Sequence, residues 1–267
     1  LIILTVICCQ VYSQTTPLTY KNGKLVYEAD SLGNRIPDFS YAGYMSGEKP
    51  IPKLTPTLLV EAINDDATQL IQSAIEQIEK APLAPNGFRG VILLSAGEYR
   101  ISGQLIIRKS GVVIKGSGIK NTKLIATGKD RRTLIRITGI NDISLKDTLT
   151  ITNKYVPVNS KTVTIATRRN LKVGDKIYIH RPSTKEWIDK LEMEHHGGGI
   201  TALGWKPGNQ DIYWDRTITA IKGNTITFDT PITTALDNKY GGGNILPYTW
   251  NGRINNIGIE DLSLVSE

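Results

Sequence analysis

Between residues 91 and 151 the chain is a succession of short apolar runs, at 91–94, 105–107, 112–114, 124–126, 134–137, 143–145 and 149–151, each closed off by Gly, Asn, Asp, Ser or Lys. Runs of this length suit strands rather than helices. No helix of crossover length separates them, which excludes a doubly wound sheet. Their spacing is also tighter than a two-sheet sandwich shows. Short strands joined by short corners are what a coil of stacked parallel strands needs. The pattern therefore predicts an all-β chain built on a right-handed parallel β-helix.

One helix precedes the runs. Ala67, Leu70, Ile71, Ala74, Ile75 and Ile78 keep the i, i+3, i+4 spacing, which predicts a helix over residues 66–80. Asp65 and Asp66 sit where an N-cap and a first-turn acid belong, and Pro82 and Pro85 stop the helix. A single apolar stripe must cover something. The open end of a strand stack, with bare core and unpaired backbone, is the natural partner, so the helix is expected to cap the first coil.

An internal echo supports the stack. Ile140-Asn141-Asp142-Ile143-Ser144-Leu145 is matched by Ile254-Asn255-Asn256-Ile257-Gly258-Ile259. If the copies occupy adjacent coils, Ile143 and Ile257 should be neighbours across about 4.8 Å. The copies are too far apart in sequence for one coil, so residues 155–250 are expected to form an inserted small antiparallel β subdomain. Two strands around Gly174-Asp175 and a hairpin around Lys222-Gly223-Asn224 would build it. A long loop, residues 183–213, lies between them. The resulting division is a leader (1–13), an N-terminal arm (14–60), the helix and first coils (61–154), the insertion (155–250) and the resumed coil (251–267). Phe39, Tyr41 and Tyr44 are expected to pin the arm to the body.

Residues 1–13 are apolar and uncharged, too few to span a membrane, with small residues at Val11 and Ser13 ahead of Gln14. They read as a secretory signal peptide that lacks its basic n-region, which predicts a secreted or periplasmic protein without stable membrane insertion. Cys8 and Cys9 both fall in this leader, so no disulfide is expected in the mature chain. The net charge of +7 is uneven: residues 101–190 hold 19 Lys and Arg against 6 Asp and Glu. Such a block either attracts polyanions or is a solvated, Lys-rich face that keeps strand edges from aggregating. Uronate-rich or sulfated polysaccharide fits a secreted protein. Nucleic acid does not, for want of a recognition helix or motif.

Asp66, Thr68, Ile71, Gln72, Ala74 and Ile75 resemble the Asp-Asp-Thr-x-Ala-Ile-Gln-x-Ala-Ile signature that opens the β-helices of the pectate-lyase superfamily, with Ala67 in place of the second Asp. Gly90-Val91 and Ala96-Gly97-x-Tyr99 resemble the element that follows, with Ser95 where Pro is usual. Leu105, Ser110-Gly111-Val112 and Gly116-x-Gly118 resemble the next coils, so the likeness covers about residues 60–120. The resemblance implies the N-terminal portion of a right-handed parallel β-helix acting on carbohydrate. The same scaffold serves lyases, hydrolases, epimerases and tailspikes. The family's catalytic groups usually lie on later coils, so the resemblance assigns no catalytic residue here.

The long loop holds the residues best suited to bind sugar. Trp187, Trp205 and Trp214 fall in it, leaving Trp250 outside, and Arg181, Lys190, His195 and His196 accompany them. Indole faces pack on the apolar faces of sugar rings, and cationic groups beside them meet carboxylates. The three tryptophans are therefore expected either to line one groove as a platform for an acidic glycan or to fill the core of the inserted subdomain. A lyase needs a base and a cation beside a uronate. A hydrolase needs two carboxylates, and Asp211, Asp215 and Glu194 are present without any pairing in the sequence. Adjacent histidines in a strand point to opposite faces, so no metal site is expected. No cofactor is expected, and calcium use is not legible in these residues.

Overall fold

The computed structural model describes residues 18–21, 24–195 and 204–267, so the leader and His196 lie outside the described residues. The chain divides into two units: Ile51–Ser144 with Trp250–Glu267, and the described residues up to Pro50 with Leu145–Thr249.

In the first unit the apolar runs become strands: β1 (Leu58–Val60), β2 (Gly90–Leu94), β3 (Gly97–Ile101), β4 (Leu105–Ile107), β5 (Val112–Gly116), β6 (Thr122–Ala126) and β7 (Ile135–Ile137). They pair in parallel, and after β2 each pairs with a strand that is not its neighbour in sequence. β1, β2 and β5 make one ladder, β3 and β6 a second, β4 and β7 a third. After the long excursion to residue 249 the chain returns: Gly258–Glu260 extends the first ladder beside β5, and Ser263–Ser266 the second beside β6. Ile71, Ile92, Leu94, Tyr99, Ile101, Leu105, Ile107, Ile114 and Leu124 are all fully buried in one cluster.

Physical reasons attach to several of the signature residues. The Tyr99 hydroxyl, fully buried, donates to the Val60 carbonyl at 2.8 Å, tying β3 to β1. Gly97 has φ +148° and a Cβ there would lie 2.4 Å from that of Ala62, so a side chain is excluded on both counts. Helix α1 (Thr68–Lys80) buries Ile71, Ala74, Ile75 and Ile78 in the core. Its polar face does separate work. Gly103 N donates to Thr68 Oγ1, Ile106 N to Gln72 Oε1, and Gln72 Nε2 to Ile106 O. Arg108 N and Lys109 N both donate to Glu79 Oε1. Three side chains at helical spacing thus satisfy backbone groups along β4 that a neighbouring strand would otherwise take.

The structure corrects the sequence expectations at several points. The helix starts at Thr68 behind Ala67, which has no capping side chain. Asp66 instead bridges outward, its carboxylate accepting from Thr68 N and from Ser102 N and Oγ. Hydrogen bonds from Ser102 and Thr68 hold that carboxyl well below the usual range. The echo does not describe adjacent coils either. Gly258 lies opposite Val113 and Ile259 opposite Ile114, so the second copy stacks on β5, and Ile143 is not in a strand. Asn256 and Asp261 do take left-handed corners, with φ of +55° and +52°.

The second unit is antiparallel. Its strands are β8 (Leu149–Thr150), β9 (Thr162–Thr164), β10 (Lys176–Arg181), β11 (Ile212–Lys222), β12 (Thr225–Phe228) and β13 (Asn244–Thr249). β13 pairs with β8 and β10, β10 with β11, β11 with β12, and β12 with β9. The β11–β12 hairpin turns at residues 223–224, as its Gly-Asn pair predicts. The strands either side of Gly174-Asp175 are not partners: β9 pairs with β12, and β10 with β11 and β13. The expected arm carries its own hairpin, Leu18–Lys21 with Lys24–Tyr27. Farther on, Arg35 N donates to Val158 O and Asp38 N to Asn159 Oδ1, while Lys161 Nζ sits over the Tyr41 ring. Tyr41 does serve as an anchor, whereas Phe39 is 71% exposed and pins nothing.

Candidate functional site

Strand alternation on β10 sorts the site. Ile177, Ile179 and Arg181 face the core, Tyr178 and His180 the other way. Trp214 lies opposite Ile179 in register and follows the same alternation as Ile218. It is 8% exposed, packs among Ile177, Ile218 and Ile245, and donates from Nε1 to Thr233 Oγ1 at 3.1 Å. Trp214 is therefore core, not platform.

Trp187 and Trp205 do come together. The loop is not wholly irregular: Thr184 accepts from Trp187 N and caps a helix the sequence reading missed, α2 (Lys185–Lys190). That turn presents Trp187, half-buried, to Trp205, also half-buried. Their rings stack with centroids 5.5 Å apart and 13° between planes. The Arg181 guanidinium lies over the Trp187 ring at 4.1 Å. Arg181 is 7% exposed, and its guanidinium makes no hydrogen bond or ion pair among the described residues. Burial lowers its pKa, while the charge of Asp211 pushes back. Lys190 and His195 are exposed near the same segment. Among the described residues no three His, Cys, Asp or Glu side chains gather into a metal cluster, and no helix is long and apolar enough to cross a membrane.

The sequence reading missed the group that ties these parts together. Asp211 Oδ1 accepts from Ser183 N at 2.7 Å and from Ser183 Oγ at 2.8 Å. Its Oδ2 lies 2.9 Å from His180 Nε2. Burial pushes the Asp211 carboxyl up, but the bonds from Ser183 and His180 outweigh it and hold the group below the usual range. The His180 ring stacks on Tyr213 at 4.5 Å and 16°, and Tyr213 is 51% exposed. Asp215, the second candidate carboxylate, accepts from the Tyr248 hydroxyl at 2.6 Å, and Tyr248 stacks on Tyr178. Ser183 is bonded to Asp211 rather than to His180, so the three residues are not a nucleophilic triad. The period-2 alternation of residues 177–181 was the available signal for which residues face which way. The pairing of Ser183 with Asp211 left none.

No protein-family model matches the chain, and no curated protein matches it. Three solved phage tailspikes are similar to it. The tailspike of Acinetobacter baumannii bacteriophage AP22, solved with an A. baumannii capsular saccharide, is 13% identical, with a TM-score of 0.42 over 76% of this chain and 27% of that one. The tailspike of Pseudomonas phage phi297 is 14% identical, with a TM-score of 0.39 over 72% and 26%. That of Pseudomonas phage LKA1 is 20% identical, with a TM-score of 0.35 over 66% and 24%. The chain thus spans 27% or less of the length of these proteins. Likeness at this level carries neither family nor activity across.

Proposed function

We propose that this chain is part of a secreted carbohydrate-active protein that engages an acidic glycan, a lyase or hydrolase of polysaccharide carried on a right-handed parallel β-helix. For the scaffold, support comes from the three parallel ladders and from α1, which satisfies the backbone of β4 in the manner of an end cap. For the glycan, one observation carries the reading: a nearly buried guanidinium, free of hydrogen bonds among the described residues, lies on an indole that stacks on a second indole. Aromatic faces take the apolar side of a sugar ring, and an uncommitted Arg takes a planar carboxylate through two parallel bonds.

A non-catalytic glycan-binding role is the second reading, and Asp211 favours it. A hydrolase acid needs a carboxyl raised toward neutrality, whereas Asp211 is held low and fully engaged. The test is titration of uronate oligosaccharides against tryptophan fluorescence. Micromolar to millimolar binding that weakens with added salt is expected, with about a tenfold loss in Arg181→Gln. Binding unaffected by salt and by Arg181→Gln would remove the acidic-glycan reading.

A further inference from the structure

The indole stack joins two stretches of chain that share no strand pairing. Trp187 comes from α2, at the start of the excursion from β10, and Trp205 from its return leg toward β11. Something must bring outgoing and returning chain together at the base. A single residue does most of it. Ser183, 1% exposed, spends its backbone N–H, its carbonyl and its hydroxyl on the return leg. Gly208 N donates to its carbonyl at 3.0 Å and to its hydroxyl at 3.1 Å, and Gln210 N donates to the hydroxyl at 3.0 Å. The hydroxyl proton and the backbone N–H both go to Asp211 Oδ1. The second Asp211 oxygen takes His180, which anchors the whole arrangement to β10. Beyond it, Trp205 N donates to Met193 O at 2.8 Å, so the return leg is held on both sides of the indole.

We propose that Ser183 and Asp211 are positioning residues, a clasp that sets Trp205 against Trp187 and so preorganises the glycan surface. Neither residue is assigned contact with sugar. The clasp acts through the geometry of the two rings, lowering the ordering cost that binding would otherwise carry. Its affinity consequence rests on the glycan reading above, but the clasp itself does not.

The experiment therefore reads the rings directly. Two stacked indoles couple in circular dichroism, and the couplet is obtained by subtracting the spectrum of Trp187→Phe from that of the parent chain. Ser183→Ala and Asp211→Ala are expected to lose the couplet while keeping the parent's cooperative urea transition, and to weaken uronate oligosaccharide binding about tenfold. Ser183→Thr, which keeps the hydroxyl, is expected to restore both. A couplet that survives in Ser183→Ala overturns the clasp. Should that variant fail to fold, Asp211→Ala alone decides, since it takes away the acceptor of Ser183 N, Ser183 Oγ and His180 together. A retained couplet there is equally fatal. If the couplet is lost in the variants but the parent never binds uronates, the clasp stands and the glycan reading falls.

Discussion

In the parallel-ladder unit, polar side chains stand in for backbone: half-buried Gln72 and buried Glu79 take hydrogen-bonding positions along β4 that a neighbouring strand would otherwise fill. In the antiparallel unit, polar side chains hold a loop: Ser183 and Asp211 are consumed by each other and by the return leg, while the Arg181 guanidinium lies on Trp187 with no hydrogen bond among the described residues. The first arrangement satisfies the backbone of a strand and the second gathers a loop, which is where the proposed glycan surface lies. Stability substitutions should therefore bite hardest in the first unit, and affinity substitutions only in the second.

The largest expected effect is Ile75→Asp. Ile75 is fully buried between helix and ladders, and an unpaired carboxylate there should cost about 5 kcal/mol, enough to unfold an ordinary domain. Loss of the cooperative transition in urea checks it. A folded variant would mean that α1 does not seal the ladder core. Next comes a matched pair in the second unit. Trp214→Ala should cost about 3–5 kcal/mol, whereas Trp205→Ala should cost under about 1 kcal/mol and instead reduce uronate affinity. Equal destabilisation by the two would erase the distinction between core indole and surface indole.

That distinction bears on what the sequence could reveal. Helix α1, the short runs and the hairpin at residues 222–224 were legible because local periodicity and turn chemistry decide them. Trp214 was misjudged because it was grouped with its neighbours in sequence, although the alternation with Ile218 marks it as inward. The Ile140 and Ile254 segments look alike because corners share a chemistry, while coil partnership is set by parallel pairing with β5. The clasp joins residues whose types are ordinary in any loop, so nothing local distinguishes them.

A smaller effect is expected at the seam itself. Gln72→Ala leaves the Ile106 N–H without its partner and should cost about 1–3 kcal/mol, seen as a shifted urea midpoint at unchanged slope. Little or no shift would mean water replaces the side chain and the seam is not closed. The smallest effect concerns acid. Asp66 and Asp211 are both held below their ordinary range by hydrogen bonds to the charged form. Depressed carboxyls contribute stability above the unfolded value of about 3.9, and that contribution is lost as pH falls through the folded values. Asp66→Asn should flatten the acid limb of unfolding and leave the indole couplet alone. Asp211→Asn should remove the couplet's own dependence on acid. If each variant altered both signals, the two units would not be separable in this respect.

The excursion has both of its ends fastened. Within the parallel-ladder unit, Ile140 N donates to Gly252 O at 3.0 Å, Trp250 Nε1 to Ile140 O at 2.8 Å, and Gly252 N to Asp142 Oδ1 at 2.8 Å. Within the antiparallel unit, Lys146 N donates to Pro247 O and Leu149 pairs with Ile245. A segment with apposed ends behaves kinetically as a cassette. The last parallel strands, Gly258–Glu260 and Ser263–Ser266, can reach β5 and β6 only after more than a hundred residues of loop have closed. A cassette that folds first removes most of that search, because its own pairing delivers Trp250 back to where it left. Folding order would then run from insertion to final strands, which is also the order in which a ribosome supplies them. A short linker in place of the excursion should speed the final coil's arrival rather than prevent it.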